Sequence, residues 1–253
     1  MSFEPWYYLV LIPVGLVAGV MNTLAGGGSN ISLPVLMLMG LPADLANGTN
    51  RLGIAMQCLS GSLSFKQSGQ LDTSDFKAIA FYTLIGGLLG ALVAALTPNL
   101  YLKPLLLTVM ILIALLMLLK PQVLTPGQGE DAMRVKDRKG AALALLLAGF
   151  YGGFVQAGVG FILLAVLGGL LRYDLVKVSA LKVLTTLGFT LVALTVFIVM
   201  DQVVWLIGLT MGAGYVAGSL LAVRMAIRVS QNGLRWLLFL ITLIACGSAL
   251  IRQ

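Results

Sequence analysis

Arg51 and Lys182 are the two ionisable residues that fall deep inside long apolar runs of this chain. Arg51 stands seven residues past Asp44 and Lys182 eight past Asp174, which is about 10–12 Å along each helix at about 1.5 Å per residue. A charge at that depth in a bilayer is costly, and its presence points to function. Every Asp and Glu reads as a loop or helix-end residue, so neither cation has an evident acidic partner within the membrane. Two uncompensated cations near the centre suit an anionic substrate. The competing reading is that they bond backbone carbonyls freed by interrupted helices, or extend towards the interface.

Each half of the chain also carries a glycine-rich interruption. Gly26-Gly27-Gly28 precedes a short apolar run, Ser29 to Met39, and Gly158-Val159-Gly160 precedes another, Phe161 to Leu171. Both runs are too short to cross a bilayer and occupy corresponding places, which is the pattern of broken helices around a transporter's binding site. A short helix starting after Gly28, and another after Gly160, would turn unpaired N–H groups and a positive dipole end towards an anion. Ser29, Asn30 and Ser32 add neutral donors at the first turn, whereas Phe161 and Ile162 stand at the second, so the two sides cannot be equivalent.

Polar side chains gather beside Arg51 in the run Asn47-Gly48-Thr49-Asn50-Arg51, with Gln57 about two turns on. On a helix Asn47, Asn50 and Arg51 share a face. Gln156 precedes the second glycine turn and Ser179 precedes Lys182. The candidate substrate-binding set is therefore Arg51, Lys182, Asn50, Asn30, Gly27, Gly28, Ser29, Gln57, Gln156, Gly158 and Gly160. For the Asn and Gln residues, hydrogen bonding between helices is an equal alternative. No catalytic residue, metal ligand or cofactor is expected. The chain has no His, and Cys58 and Cys246 lie in apolar helices where they suit packing. No Lys-Ser/Thr follows the glycines as a nucleotide-binding loop requires, and an enzyme would lack groups for acid–base work.

These residues need a membrane scaffold to position them. Apolar residues make up 59% of 253 positions and charged ones 10%, with a mean hydropathy of +1.02, values far from those of a soluble domain. Ten apolar segments are predicted, at about 5–24, 29–40, 44–65, 76–97, 100–120, 139–157, 160–171, 174–199, 203–227 and 232–251. The N-terminus lacks the basic region of a signal peptide, so the first helix is expected to be retained, with Trp6, Tyr7 and Tyr8 at an interface. The net charge of +7 sits mostly in short loops, as in cytoplasmic loops of membrane proteins, so no nucleic-acid partner is expected.

The segments fall into two repeats. Leu102–Leu106 matches Leu234–Leu238 at an offset of 132, as Gly26 and Gly28 match Gly158 and Gly160. Gly86 and Gly90 fall opposite Gly214 and Gly218 at 128, and Asp44 opposite Asp174 at 130. The division is 1–120 as the first transmembrane repeat, 121–138 as a linker and 139–253 as the second repeat. Each repeat holds an odd number of segments and opens with a broken or re-entrant pair, so the repeats are expected to be inverted in an all-α polytopic fold. Gly86-x3-Gly90, Gly208-x3-Gly212 and Gly214-x3-Gly218 read as helix-packing faces. The basic linker places itself in the cytoplasm and both termini in the periplasm. The expected partners are a small anionic substrate and the lipid bilayer, and the reading admits a homodimer.

The ordered set Gly26-Gly27-Gly28, Ala46-Asn47-Gly48-Thr49-Asn50-Arg51, Ala157-Gly158-Val159-Gly160-Phe161 and Ala180-Leu181-Lys182-Val183 resembles the TauE/SafE family of sulfite and organosulfonate exporters, also called the toluene-sulfonate uptake permease family. The resemblance covers nearly the whole chain, including the two-repeat plan and the basic linker. It implies a bacterial inner-membrane secondary transporter, an exporter, for a sulfur-containing anion such as sulfite or an organosulfonate. Val159 stands where many relatives keep a third glycine, which departs from a symmetric pair of turns. The alternatives are an anion channel or a carrier of another small organic anion; broken helices and inverted repeats favour the carrier.

Overall fold

A computed structural model describes residues 5–24, 26–69, 71, 74–119, 132–225 and 243. Among these residues the secondary structure is helical throughout. The helices are α1 (Pro5–Leu24), α2 (Ser29–Leu38), α3 (Ala43–Gln67), α4 (Phe76–Leu96), α5 (Asn99–Leu119), α6 (Ala141–Phe154), α7 (Val159–Leu164), α8 (Leu175–Val199) and α9 (Trp205–Met225). These match nine of the ten predicted segments; the tenth, 232–251, and most of the linker lie outside the described residues.

Helices α1, α4, α5, α8 and α9 each contain a stretch of at least 18 residues that is long and apolar enough to cross a membrane. Their outer faces expose large apolar side chains such as Leu9, Phe81, Leu112, Leu191 and Leu206, as surfaces bathed in lipid do. Helix α3 has 25 residues, enough to span, yet its polar run lowers its hydropathy. That run faces inward: Asn47, Thr49, Asn50 and Arg51 are wholly buried. Helix α3 therefore lies inside the bundle, packed on α8 and α9, and its polar groups find partners in protein instead of lipid.

Small residues set the closest helix contacts. Gly15 and Gly19 of α1 lie against the backbone of Met211 and Tyr215, while Gly214 and Gly218 of α9 lie against that of Ile12 and Leu16. Gly86 and Gly90 of α4 meet the backbone of Leu146 and Phe150 in α6, and Gly149 and Gly153 of α6 meet Thr83 and Gly87. Gly208 and Gly212 face Leu52, Gly53 and Met56 of α3, so all three expected glycine stripes are packing faces. The pattern is self-similar. Helix α1 packs on α9 as α6 packs on α4, and α3 packs on α9 as α8 packs on α4. Exchanging the two halves of the chain maps each contact onto its counterpart.

The short segments are broken helices, as expected. Helix α1 ends at Leu24 and α2 starts at Ser29; α6 ends at Phe154 and α7 starts at Val159. Beyond Leu164 the second short segment widens into a π-helical run, Ala165–Leu170, where the prediction had a regular helix. The wider turn closes with the Leu171 N–H on the Val166 carbonyl at 3.0 Å, and Gly168 and Gly169 lie within it. Such turns recur at functional positions in helices.

Candidate functional site

The two glycine bends meet each other. A Cβ on Gly26 would stand 2.7 Å from the Gly160 Cα, and no side chain fits there without displacing backbone. Gly26 has φ +85° and Gly158 φ +76°, values that favour glycine over residues with a Cβ. Glycine is thus required twice over: to turn the chain, and to let two backbones touch. Gly158 is the residue before α7, and Gly160 is already the second residue of that helix, slightly earlier than the sequence suggested. Gly28 precedes α2, and Asn30 N–H and Ile31 N–H bond back to the carbonyls of Gly27 and Gly28, both at 3.0 Å.

Among the described residues, Arg51 and Lys182 are the charged side chains that are buried, at 0% and 3% exposed. Each reaches across to the helix end that precedes a bend in the other half. Arg51 Nη1 donates to the Gly152 carbonyl and to Gln156 Oε1, both at 2.9 Å. Its Nη2 donates to the Gly153 carbonyl, to Asn47 Oδ1 at 3.3 Å and to the Phe154 carbonyl at 3.4 Å. The Phe197 ring lies beneath, 4.9 Å from Arg51 Cζ. The last carbonyls of α6 would otherwise lack partners, and their negative dipole end favours a cation. The guanidinium fork fills this position, with only Nε left without a partner.

Lys182 reaches the end of α1. Its Nζ donates to the Thr23 carbonyl at 3.3 Å, the one hydrogen bond it makes among the described residues. An ammonium carries three donors, so two remain. Lys182 lines a cavity of about 10 Å3 together with Asn22, Gln57, Cys58, Gly160 and Thr186. That volume holds about one water. Among the described residues no carboxylate is a partner of either cation.

The polar run on α3 is spread over several neighbours. Asn47 Nδ2 donates to the Phe154 carbonyl at 2.9 Å, joining Arg51 on α6 as the i, i+4 spacing predicts. The Thr49 hydroxyl accepts the Val204 N–H at 2.9 Å, one residue before α9 starts. Asn50 turns to α2: its Oδ1 accepts the Ser32 hydroxyl at 2.7 Å and the Tyr215 hydroxyl at 3.1 Å, and its Nδ2 donates to Ser29 Oγ at 3.1 Å. Gln57 joins the first bend, with Nε2 donating to Thr23 Oγ1 and Oε1 accepting from Asn22 Nδ2, both at 2.9 Å. Gln156 sits on the second bend with φ +67°, held by Arg51. Asn30 is wholly buried, and neither its Nδ2 nor its Oδ1 has a partner.

The sequence-derived set thus falls into two groups. Gly27, Gly28, Ser29, Asn30, Asn50, Gln57 and Lys182 surround the first bend, while Arg51, Gln156 and Gly158 belong to the second, with Gly160 at the junction. Sequence reasoning missed Asn22, Thr23 and Tyr215. Asn22 and Thr23 precede their glycine turn as Gln156 precedes its own, so position was an available signal. Tyr215 lies in the glycine stripe of α9, and its spacing does not set it apart from packing residues.

Comparison with known proteins agrees with this architecture. The sequence model of the family described as Sulfite exporter TauE/SafE matches residues 11–249. The chain is 28% identical to a probable membrane transporter protein of Haemophilus influenzae over 89% of its length and 88% of the relative's. It is 28% identical to the probable membrane transporter protein ORF9 of a Sinorhizobium species, over 92% of this chain and 88% of the other. It is 26% identical to the probable membrane transporter protein YfcA of Escherichia coli K12, over 95% and 88%. With its family matched almost end to end and its helices apolar enough to cross a bilayer, the chain belongs to the TauE/SafE family and is a multi-pass membrane transporter.

Proposed function

We propose that this transporter is a secondary carrier that exports a small sulfur-containing anion, sulfite or an organosulfonate, by alternating access. The observation that carries the reading is the meeting of two glycine bends, with a buried cation at the helix end behind each and, among the described residues, no carboxylate partner for either. Lys182 supplies the charge for the anion, since two of its donors are uncommitted. The amide of Asn30 and the hydroxyl of Ser29, at the start of α2, supply neutral donors for its oxygens. Arg51 contributes a fixed positive charge from behind the second bend, its Nη donors being engaged by protein.

A cavity of about 10 Å3 is too small for an anion of four or more heavy atoms. In this reading the conformer is occluded, and transport requires the bends to part. The exchange of helix contacts between halves supports two repeats rocking against each other, inverted across the membrane. The basic linker supports a cytoplasmic position for residues 121–138, with both termini periplasmic in the bacterial inner membrane. Export then follows the membrane potential, which drives anions out of a negative-inside cell. Uptake of radiolabelled sulfite, taurine, sulfoacetate and isethionate into proteoliposomes tests the substrate class. Flux of one of them above empty vesicles is expected; equal counts across the whole panel would defeat the proposal.

A further inference from the structure

A cavity of about 570 Å3 that shares no lining residue with the glycine bends lies between the start of α4 and the start of α6. Residues 132–140 form one wall. Arg134, Lys136 and Arg138 line it, and Asp75 is the acidic residue among its lining groups. The Asp75 carboxylate is committed, since its Oδ2 accepts the Val135 N–H at 2.6 Å and pins the 3-10 turn Val135–Asp137 to the start of α4. Arg138 is half-buried and its Nε has no hydrogen-bond partner. Asp75 stands at the start of α4 and offsets that helix's dipole, whereas α6 has neither a side-chain cap nor an acidic residue in its first turn, so its positive dipole end adds to the three cations. Three basic side chains against one carboxylate leave the cavity's lining net positive, as suits an anion.

The surroundings select the kind of anion. On α4 the exposed Phe81 and Ile85 neighbour the cavity's Ala78 and Tyr82 in sequence, and on α6 the exposed Leu143 and Leu147 follow Ala142. A charged head at the cavity would therefore continue into apolar strips on the membrane-length α4 and the shorter apolar α6. Basic clusters beside membrane helices attract acidic lipid headgroups. We propose that this cavity binds the phosphodiester headgroup of an anionic phospholipid, held by Arg134, Lys136 and Arg138, with its acyl chains along α4 and α6. The site uses none of the groups assigned to transport, and it stands or falls separately from that reading.

The test is native mass spectrometry of the full-length protein from neutral detergent, with phosphatidylglycerol, phosphatidylcholine or inorganic phosphate added at equal concentration. Phosphatidylglycerol is expected to be retained at least tenfold over phosphatidylcholine, and the Arg134→Gln/Lys136→Gln/Arg138→Gln variant is expected to lose that preference. Should the variant fail to fold, the wild-type protein at 0.5 M salt serves, because exposed charge contacts are screened there and the preference should fall. Equal retention of the two lipids, a preference that survives both the variant and the salt, or retention of inorganic phosphate in place of lipid would each overturn the assignment.

Discussion

The two bends occupy equivalent places in the fold and solve the same electrostatic problem differently. Behind the second bend, Arg51 spreads its two Nη groups over the carbonyls of Gly152, Gly153 and Phe154 and over two side-chain oxygens. Behind the first, Lys182 holds a single carbonyl at 3.3 Å. The neighbours differ too. Asn22, Thr23, Gln57, Ser29, Ser32, Asn50 and Tyr215 gather at the first bend, whereas a Cβ on Gly152 would meet the Phe189 ring and one on Gly158 would meet Ile113. A planar fork is built to satisfy several acceptors at fixed angles, while an ammonium is a point charge with movable donors. At the second bend both Nη groups of the cation are engaged by protein, whereas at the first the ammonium makes one hydrogen bond among the described residues. Under the proposed function the second bend is the anchor and the first the receptor.

The comparison predicts opposite failures for the two cations. Arg51→Gln should be the most damaging change, because it strips partners from the end of α6 and leaves buried carbonyls unsatisfied at about 1–3 kcal/mol each. A clear fall in melting temperature and in the yield of monodisperse protein is expected, and Arg51→Lys should rescue little of it, since an ammonium cannot span the same acceptors. A stable Arg51→Gln protein would remove the anchor half of the comparison. Gly160→Ala comes next. Its Cβ would stand 2.5 Å from the Gly26 Cα, so the bends must separate. Overpacking of this kind costs about 1–3 kcal/mol, read as a lower melting temperature.

Lys182→Gln should behave in the other way. It gives up one long hydrogen bond, so melting should shift little, but anion binding should weaken about 10- to 100-fold, as loss of a charged hydrogen bond worth about 1.5–3 kcal/mol implies. Anion-dependent thermal shift and proteoliposome flux read this directly. Unchanged flux in Lys182→Gln would assign the lysine to the α1 end alone and leave the first bend without its charge.

Much of this was legible in the sequence. The apolar segments, the interruptions at Gly26-Gly27-Gly28 and Gly158-Val159-Gly160, and the burial of Arg51 and Lys182 follow from hydropathy and from the cost of charge in lipid. The asymmetry of the bends was visible in Ser29-Asn30 against Phe161-Ile162. The direction in which each cation points was not. Arg51 and Lys182 stand at similar offsets from Asp44 and Asp174, and the sequence left open both an anion and freed carbonyls as partners. Which one applies depends on the distance to α6 and α1, set by glycine contacts between helices far apart in sequence. The role of Tyr215 was hidden for the same reason: its hydroxyl reaches Ser32 at 2.8 Å only because Gly19 and Gly53 let α9 approach α1 and α3. The π-helical run at Ala165–Leu170 was not read from the sequence either, although it holds the Gly168-Gly169 pair, which weakens an ordinary helix.

The finest test of the receptor bend compares Asn30 with Tyr215. Both are buried polar residues near α2, but Tyr215 is tied to Ser32 and Asn50, whereas the amide of Asn30 has no partner. A buried amide without hydrogen bonds destabilises a protein, and it is tolerated where a ligand supplies the missing bonds. Tyr215→Phe should therefore lower stability by about 1 kcal/mol, with anion affinity changed less than twofold. Asn30→Ala should leave the melting temperature of the ligand-free protein unchanged or raise it, while weakening sulfite or sulfonate binding several-fold. If Asn30→Ala instead melts early and binds normally, the amide is a packing element, and the capacity of the first bend rests on Lys182 alone.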